Sequence, residues 1–379
     1  MRAELNDASL ARYAGRFVWL ELNFDKPSNQ DFITKHGVEY TPSLYVLDPT
    51  DERATATQLG GLTLAELTRF LERGERGVLA KSNSPVGAAL AQGDELLGRG
   101  QRSAAIASYR EAIRLGGDGW PEHGRAVASY AWVLMNDRQY RACADTAAAE
   151  APTMKRSQVF ARVVLAGISC LNQETSAPWA VTARKTLQPL AIEAAAVPGL
   201  LRDHRFQLYQ QLMYDAGLHN DNATLKKWGE RWLAEIAAIK PTNDDERSAL
   251  DVSRVDAAST LEEPLRVIPD LIASEKAMPA NYNASLRLAQ METAAKRYNE
   301  AIAACDRGLA HVTGPMGRVW LLETKADALM GKKQPSEAQD VLQQALRSAR
   351  EIGLKTARDR NISKVETQIK EAEDAAHHL

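Results

Sequence analysis

From about Pro85 to the C-terminus strand signals vanish, and the chain repeats one pattern: Ala-rich amphipathic helices alternating with short breaks. Within it four segments carry small residues twelve positions apart: Gly93 and Ala105, Ala131 and Cys143, Ala289 and Ala301, Ala326 and Ala338. Four places beyond each second member stand Tyr109, Ala147, Cys305 and Leu342. Small residues at matched points let two helices approach closely, and a bulkier side chain one turn later fills the gap to the next pair. A single helix pair cannot bury its own apolar face, so recurrence of the pattern commits the chain to stacked pairs.

The quoted segments, "GDELLGRGQRSAAIASYREAI", "YAWVLMNDRQYRACADTAA", "LAQMETAAKRYNEAIAACDRGL" and "KADALMGKKQPSEAQDVLQQAL", resemble tetratricopeptide repeats. Residues 155–275 keep the helix-pair rhythm but match the offsets poorly, and are read as degenerate repeats. In the last segment, "NISKVETQIKEAEDAAHHL", Ile362, Val365 and Ile369 share one face, as in a helix that caps an array. The resemblance implies an all-α solenoid over residues 85–360, with about six helix pairs, closed by a capping helix at 361–379. It also implies a concave groove lined by the first helix of each pair. The offsets place Asp94, Leu97, Trp132, Met135, Trp320, Asp327 and Met330 there. Aromatic and Met side chains interspersed with carboxylates suit a peptide or protein partner. Repeats of this family that grip a chaperone C-terminus use Lys and Asn where this chain has Leu90 and Asp94. A chaperone-tail receptor is therefore disfavoured.

Residues 1–78 are written differently. "FVWLEL" (Phe17 to Leu22) is an apolar run that reads as a buried strand. A short helix follows, with Ser28 as N-cap and Gly37 as its stop, and His36 just before that stop reads as a cation favoured by the helix dipole. "PSLYVLD" is the next strand, "PTDE" a turn, and "RATATQL" the hairpin partner. After Gly60 and Gly61, Thr63 caps a helix with Leu64, Leu67 and Leu71 on one face. This order resembles the later part of a thioredoxin domain, with Thr41-Pro42 at its cis-proline dipeptide. In that family the proline packs beside a CxxC whose lowered thiol pKa drives disulfide exchange. No cysteine precedes Cys143 here, so no residue of this segment supplies the nucleophile. Either a CxxC segment lies upstream, or the domain has lost its catalytic half and serves as an adaptor. The fold class expected is thus α+β multidomain: an incomplete thioredoxin-like α/β domain at 1–78, a linker at 79–84, and the helical solenoid.

The three cysteines, Cys143, Cys170 and Cys305, lie far apart within helical patterns and read as separate buried thiols. No Cys/His cluster has zinc spacing, and "LGGDGW" (Leu115 to Trp120) is a loop between repeats, so no catalytic residue, cofactor or metal is expected. The terminal pair His377 and His378 reads as a frayed end. A net charge of -2 from 47 basic and 49 acidic residues offers no field for nucleic acid, and no apolar run reaches membrane-spanning length. As written, the chain reads as soluble and cytoplasmic, or periplasmic or secreted if its true start is upstream. The functional expectation is a non-enzymatic scaffold that binds a protein or peptide, alone or as a homo-oligomer. The competing expectation is a thiol-disulfide oxidoreductase whose CxxC lies upstream.

Overall fold

In the computed structural model, residues 5–23, 26–38, 41–79, 84–174 and 177–377 are described. Glu39 and Tyr40 before the Thr41-Pro42 dipeptide, most of the 79–84 linker, and His378 lie outside them. By its internal contacts the chain divides into two units, the first made of the described residues up to 23 and of Asp31–Asp221, the second of the described residues from 26 to 30 and of those from Asn222 onward.

Near the start of the described residues of the first unit lies a 3-10 helix, Ala8–Tyr13, whose Asp7 carboxylate accepts the Ser9 N–H at 2.9 Å. "FVWLEL" is not a strand. Val18 is 88% and Leu20 76% exposed, and the segment joins no sheet among the described residues. Apolar character marks a strand only where a neighbouring strand supplies the ladder, and the two strands present bond to each other. Ser28 lies within a 3-10 turn, Pro27–Asn29, rather than capping α1 (Gln30–Lys35). Gly37 does end that helix, at φ +55°, and it packs so closely on Gly100 that a Cβ would lie 2.7 Å from the Gly100 Cα. His36 is not an exposed cation. It is buried between Phe32 and Tyr45, and desolvation pushes its pKa below the ordinary value.

Strands β1 (Ser43–Leu47) and β2 (Ala54–Leu59) form the expected antiparallel hairpin, in register Ser43↔Leu59 and Tyr45↔Thr57. The Asp48 carboxylate accepts the Thr50 N–H inside the turn at 2.9 Å. The Thr41-Pro42 bond is cis. Helix α2 (Leu64–Leu79) opens with a capping box: Thr63 Oγ1 accepts the Glu66 N–H at 3.3 Å, and Glu66 accepts the Thr63 N–H at 2.9 Å. Leu67, Phe70 and Leu71 then close over Val46, Ala56 and Tyr13 as the core of this part. Among the described residues the sheet has only these two strands.

The rest of the first unit is helical: α3 (Pro85–Gly98), α4 (Arg102–Gly116), α5 (His123–Asn136), α6 (Tyr140–Glu150), α7 (Gln158–Leu171), α8 (Pro178–Ala195) and α9 (Arg202–Leu218). The hairpin rests on α3, where a Cβ on Gly98 would meet Thr57 and Ala54 within 3 Å. The second unit holds α10 (Asn222–Ala237), α11 (Asp244–Leu261), α12 (Ile268–Ala277), α13 (Tyr282–Ala294), α14 (Tyr298–Leu309), α15 (Pro315–Gly331), α16 (Pro335–Arg350) and α17 (Lys355–His377). Among the described residues between 85 and 350 this makes fourteen helices, two more than about six pairs allow, because the poorly matching middle stretch holds more helices than its pattern revealed.

The small-residue positions act as expected. Ala105, Tyr109, Ala112, Ala131, Cys143, Ala301, Ala338 and Ala345 are fully buried. Gly93 lies against the Tyr109 ring, 2.7 Å from where a Cβ would stand, and Gly331 meets Tyr298 in the same way. Six turns share one device. Gly100, Arg138, Asn220, Glu262, Lys296 and Lys333 all have positive φ. In each case the following N–H reaches back five residues to a helix carbonyl, as from Gln101 to Leu96 at 2.9 Å and from Gln334 to Leu329 at 3.0 Å. These are Schellman closures, which satisfy the last carbonyls of a helix and turn the chain sharply. In the second unit Val365, Ile369 and Ala372 of α17 bury against Leu342, Leu346 and Ala349, so the last helix covers the apolar face of α16.

Candidate functional site

A cavity of about 410 Å³ opens in the first unit, walled by the end of the hairpin, α2, the α4–α5 loop, the start of α5, the end of α6 and the start of α7. Five cations and four carboxylates line it, the carboxylates being Glu66, Asp118, Glu122 and Glu150. Arg69 and Arg73 stand one turn apart on α2, Arg125 comes from α5, Arg162 from α7, and Lys155 from the turn before α7.

These cations differ in how fully they are matched. Asp94, 1% exposed, lies behind the wall and anchors one of its cations. Arg125 grips it bidentately, Nη1 to Oδ1 at 3.1 Å and Nη2 to Oδ2 at 2.7 Å, and the Tyr109 hydroxyl donates to Oδ1 at 2.8 Å. Glu122 lies 3.3 Å from Arg125 and 3.8 Å from Arg73. Burial, reinforced by the adjacent Arg125 charge, pushes the Arg73 pKa down to about 10. Burial likewise lowers that of Arg162, whose nearest carboxylate is Glu66 at 4.0 Å. Arg69 donates from Nε to the Ala65 carbonyl, and among the described residues neither it nor Lys155 has a carboxylate partner. Behind Arg162, His204 pairs with Gln158 in a buried setting that lowers its pKa to about 3, with the Arg162 charge adding to the desolvation.

At the mouth, His123 Nε2 lies 2.9 Å from Glu150 Oε2 and 3.9 Å from Asp118 Oδ1. The three ligand atoms all fall within 4.8 Å of one another.

The residues expected to line a groove fall in both units, some exposed and some buried. Asp94 sits behind Arg125 rather than facing solvent, and Leu97 is buried on the same helix. Trp132 and Met135 are half-buried on α5, and none of these four borders the cavity. In the second unit Trp320 (41% exposed) and Asp327 are exposed on α15, while Met330 packs against the core under α17. The cysteines also depart from expectation. Cys143 and Cys170 form a disulfide, Cα to Cα 6.2 Å, completely buried between α6 and α7. They pair because α6 packs lengthwise on α7, a neighbour relation that 27 residues of intervening sequence conceal. Cys305 remains a buried free thiol with its pKa pushed up to about 12 by desolvation. Of the cavity's cations, only Arg69 and Arg73 carried a sequence signal, their spacing of four on one helix face. The others converge from segments remote in the chain.

No family model matches the chain, and no curated protein matches it. Among solved structures, a tetratricopeptide repeat protein from Parabacteroides merdae is similar at 9% identity and a TM-score of 0.45, covering 74% of this chain and 99% of that one. The TPR2AB domain of yeast Sti1, in complex with pHSP90, is similar at 15% identity and a TM-score of 0.30, covering 76% of this chain and 98% of that one. Among the described residues no helix is long and apolar enough to cross a membrane.

Proposed function

We propose that the chain is a protein-interaction scaffold whose helix array holds a peptide or protein partner, with the cavity of the first unit as its principal docking point. The observation that carries this reading is a group of incompletely matched cations on one side of the cavity wall: Arg69 and Lys155 without carboxylate partners among the described residues, and Arg162 with one no nearer than 4.0 Å. An under-matched guanidinium in a partly desolvated cavity favours an incoming carboxylate, so an acidic segment is the partner chemistry that fits. The order helix, strand, strand, helix over 30–79 supports reading this part as a thioredoxin-like remnant that offers a second contact surface. The Cys143–Cys170 bond is fully buried and so closed to an attacking thiolate, which argues against disulfide exchange at that pair.

The test uses a labelled Asp/Glu-rich peptide and its Asn/Gln counterpart. The acidic peptide should bind more tightly, with an affinity that falls as salt rises, and Arg69→Glu with Lys155→Glu should weaken it by about tenfold or more. Both replaced residues are exposed, so the fold is retained. Equal binding of the two peptides, or an unchanged affinity in the variant, would overturn the reading.

A further inference from the structure

We propose that Asp118, His123 and Glu150 form a divalent-cation site at the mouth of the first unit's cavity, of the kind that takes zinc. The three come from separate places: the loop after α4, the first residue of α5 and the last residue of α6. Their ligand atoms converge to within 4.8 Å, with Nε2 of His123 facing both carboxylates at 2.9 and 3.9 Å. A tetrahedral ion with bonds of about 2.0–2.1 Å needs its ligand atoms about 3.3 Å apart, so the existing spacing brackets the required one.

The remaining adjustment falls on Asp118, which is free to make it. Its side chain is 99% exposed, it stands between Gly117 and Gly119, and neither glycine has an atom within 4 Å of where a Cβ would lie. His123 and Glu150, by contrast, are largely enclosed and already aimed at each other. One ligand swings onto two that are fixed.

Charge points the same way. Among the described residues the Glu150 carboxylate has no partner except His123, and the same holds for Asp118. With a neutral imidazole the trio carries two negative charges, and with a protonated one it still carries one. Arg125, on the same helix as His123, is matched by Asp94 and Glu122 instead. A divalent ion neutralises the trio. One nitrogen and two carboxylates suit zinc, whereas calcium and magnesium favour six or more oxygens. Three protein ligands leave a fourth position for water.

The test needs no peptide, so it stands or falls apart from the docking proposal. The full chain, stripped with a chelator and dialysed, is titrated with zinc chloride in a calorimeter. One equivalent should bind. His123→Ala should abolish that binding, and Glu150→Gln, which keeps a hydrogen-bonding group beside the imidazole, should weaken it by tenfold or more. His377→Ala should leave it unchanged, which separates this site from the C-terminal histidines. Matching far-ultraviolet spectra and melting temperatures without zinc confirm that the variants fold. Absence of a stoichiometric site, or an affinity unaltered by Glu150→Gln in the folded variant, overturns the proposal.

Discussion

Removing the Cys143–Cys170 cross-link, as Cys143→Ala with Cys170→Ala, should destabilise the first unit substantially. The bond joins residues 27 apart in sequence. In the chain-entropy account, a closed loop of that length restricts the unfolded ensemble by about 3.5 kcal/mol at 25 °C. Both sulfurs are fully buried between α6 and α7, so their loss also removes packing from a site with no access to water. The combined effect should lower the melting temperature of the first unit by about 10 °C, taking a few degrees per kcal/mol for a unit of this size. The assay is paired urea and thermal unfolding of wild type and variant without reductant, followed by tryptophan fluorescence and far-ultraviolet circular dichroism. Thiol titration of the denatured, unreduced wild type supplies the direct check. One reactive thiol, from Cys305, is expected. Three reactive thiols, or unfolding curves that superimpose, would refute the reasoning.

Acid should weaken the first unit through His204. Its pKa is about 3 when folded against 6.5 ordinarily, so the unfolded chain takes up the proton first, and stability falls as pH drops below 6.5. The loss at pH 5 is about 2 kcal/mol. His204→Gln should shrink the difference between urea midpoints at pH 7 and pH 5, and an undiminished difference would assign the effect elsewhere. Gly93→Ala should cost about 1 kcal/mol, because the clash with the Tyr109 ring, tethered through its hydroxyl to Asp94, outweighs the gain in helix propensity. Gly119→Ala, in open space, is the neutral comparison in the same melt. Lys333→Gly should stabilise the second unit by up to about 1 kcal/mol, since Lys333 holds φ +62° at cost and glycine does not; a lowered melting temperature would contradict it.

What could be read from the residues alone was whatever depends on short-range periodicity. Gly93, Ala105, Tyr109 and their counterparts announced close helix pairs because a helix repeats its faces every three to four residues, and contact between consecutive helices inherits that period. The Thr63 cap, the β1–β2 hairpin and the Gly37 stop were legible for the same reason: each is closed by residues a few places apart. The turns at Arg138, Lys296 and Lys333 were not, because the surrounding closure imposes positive φ on side chains that do not advertise it.

The tertiary structure decided everything that depends on distance between remote residues. An exposed carboxylate and a buried one look alike in sequence, so Asp94 read as a groove residue until Arg125 and Tyr109 were seen to enclose it. "FVWLEL" read as a core strand, because hydropathy records the tendency to be buried and not the presence of a partner. Cys143 and Cys170 became a pair, and Asp118, His123 and Glu150 a cluster, only once helix packing brought them within a few ångströms. The sequence by itself determined that helices would pair. Which charges those pairs would bury, match or leave open was settled by the packing, because Coulomb energies and desolvation depend on three-dimensional separation and not on position along the chain.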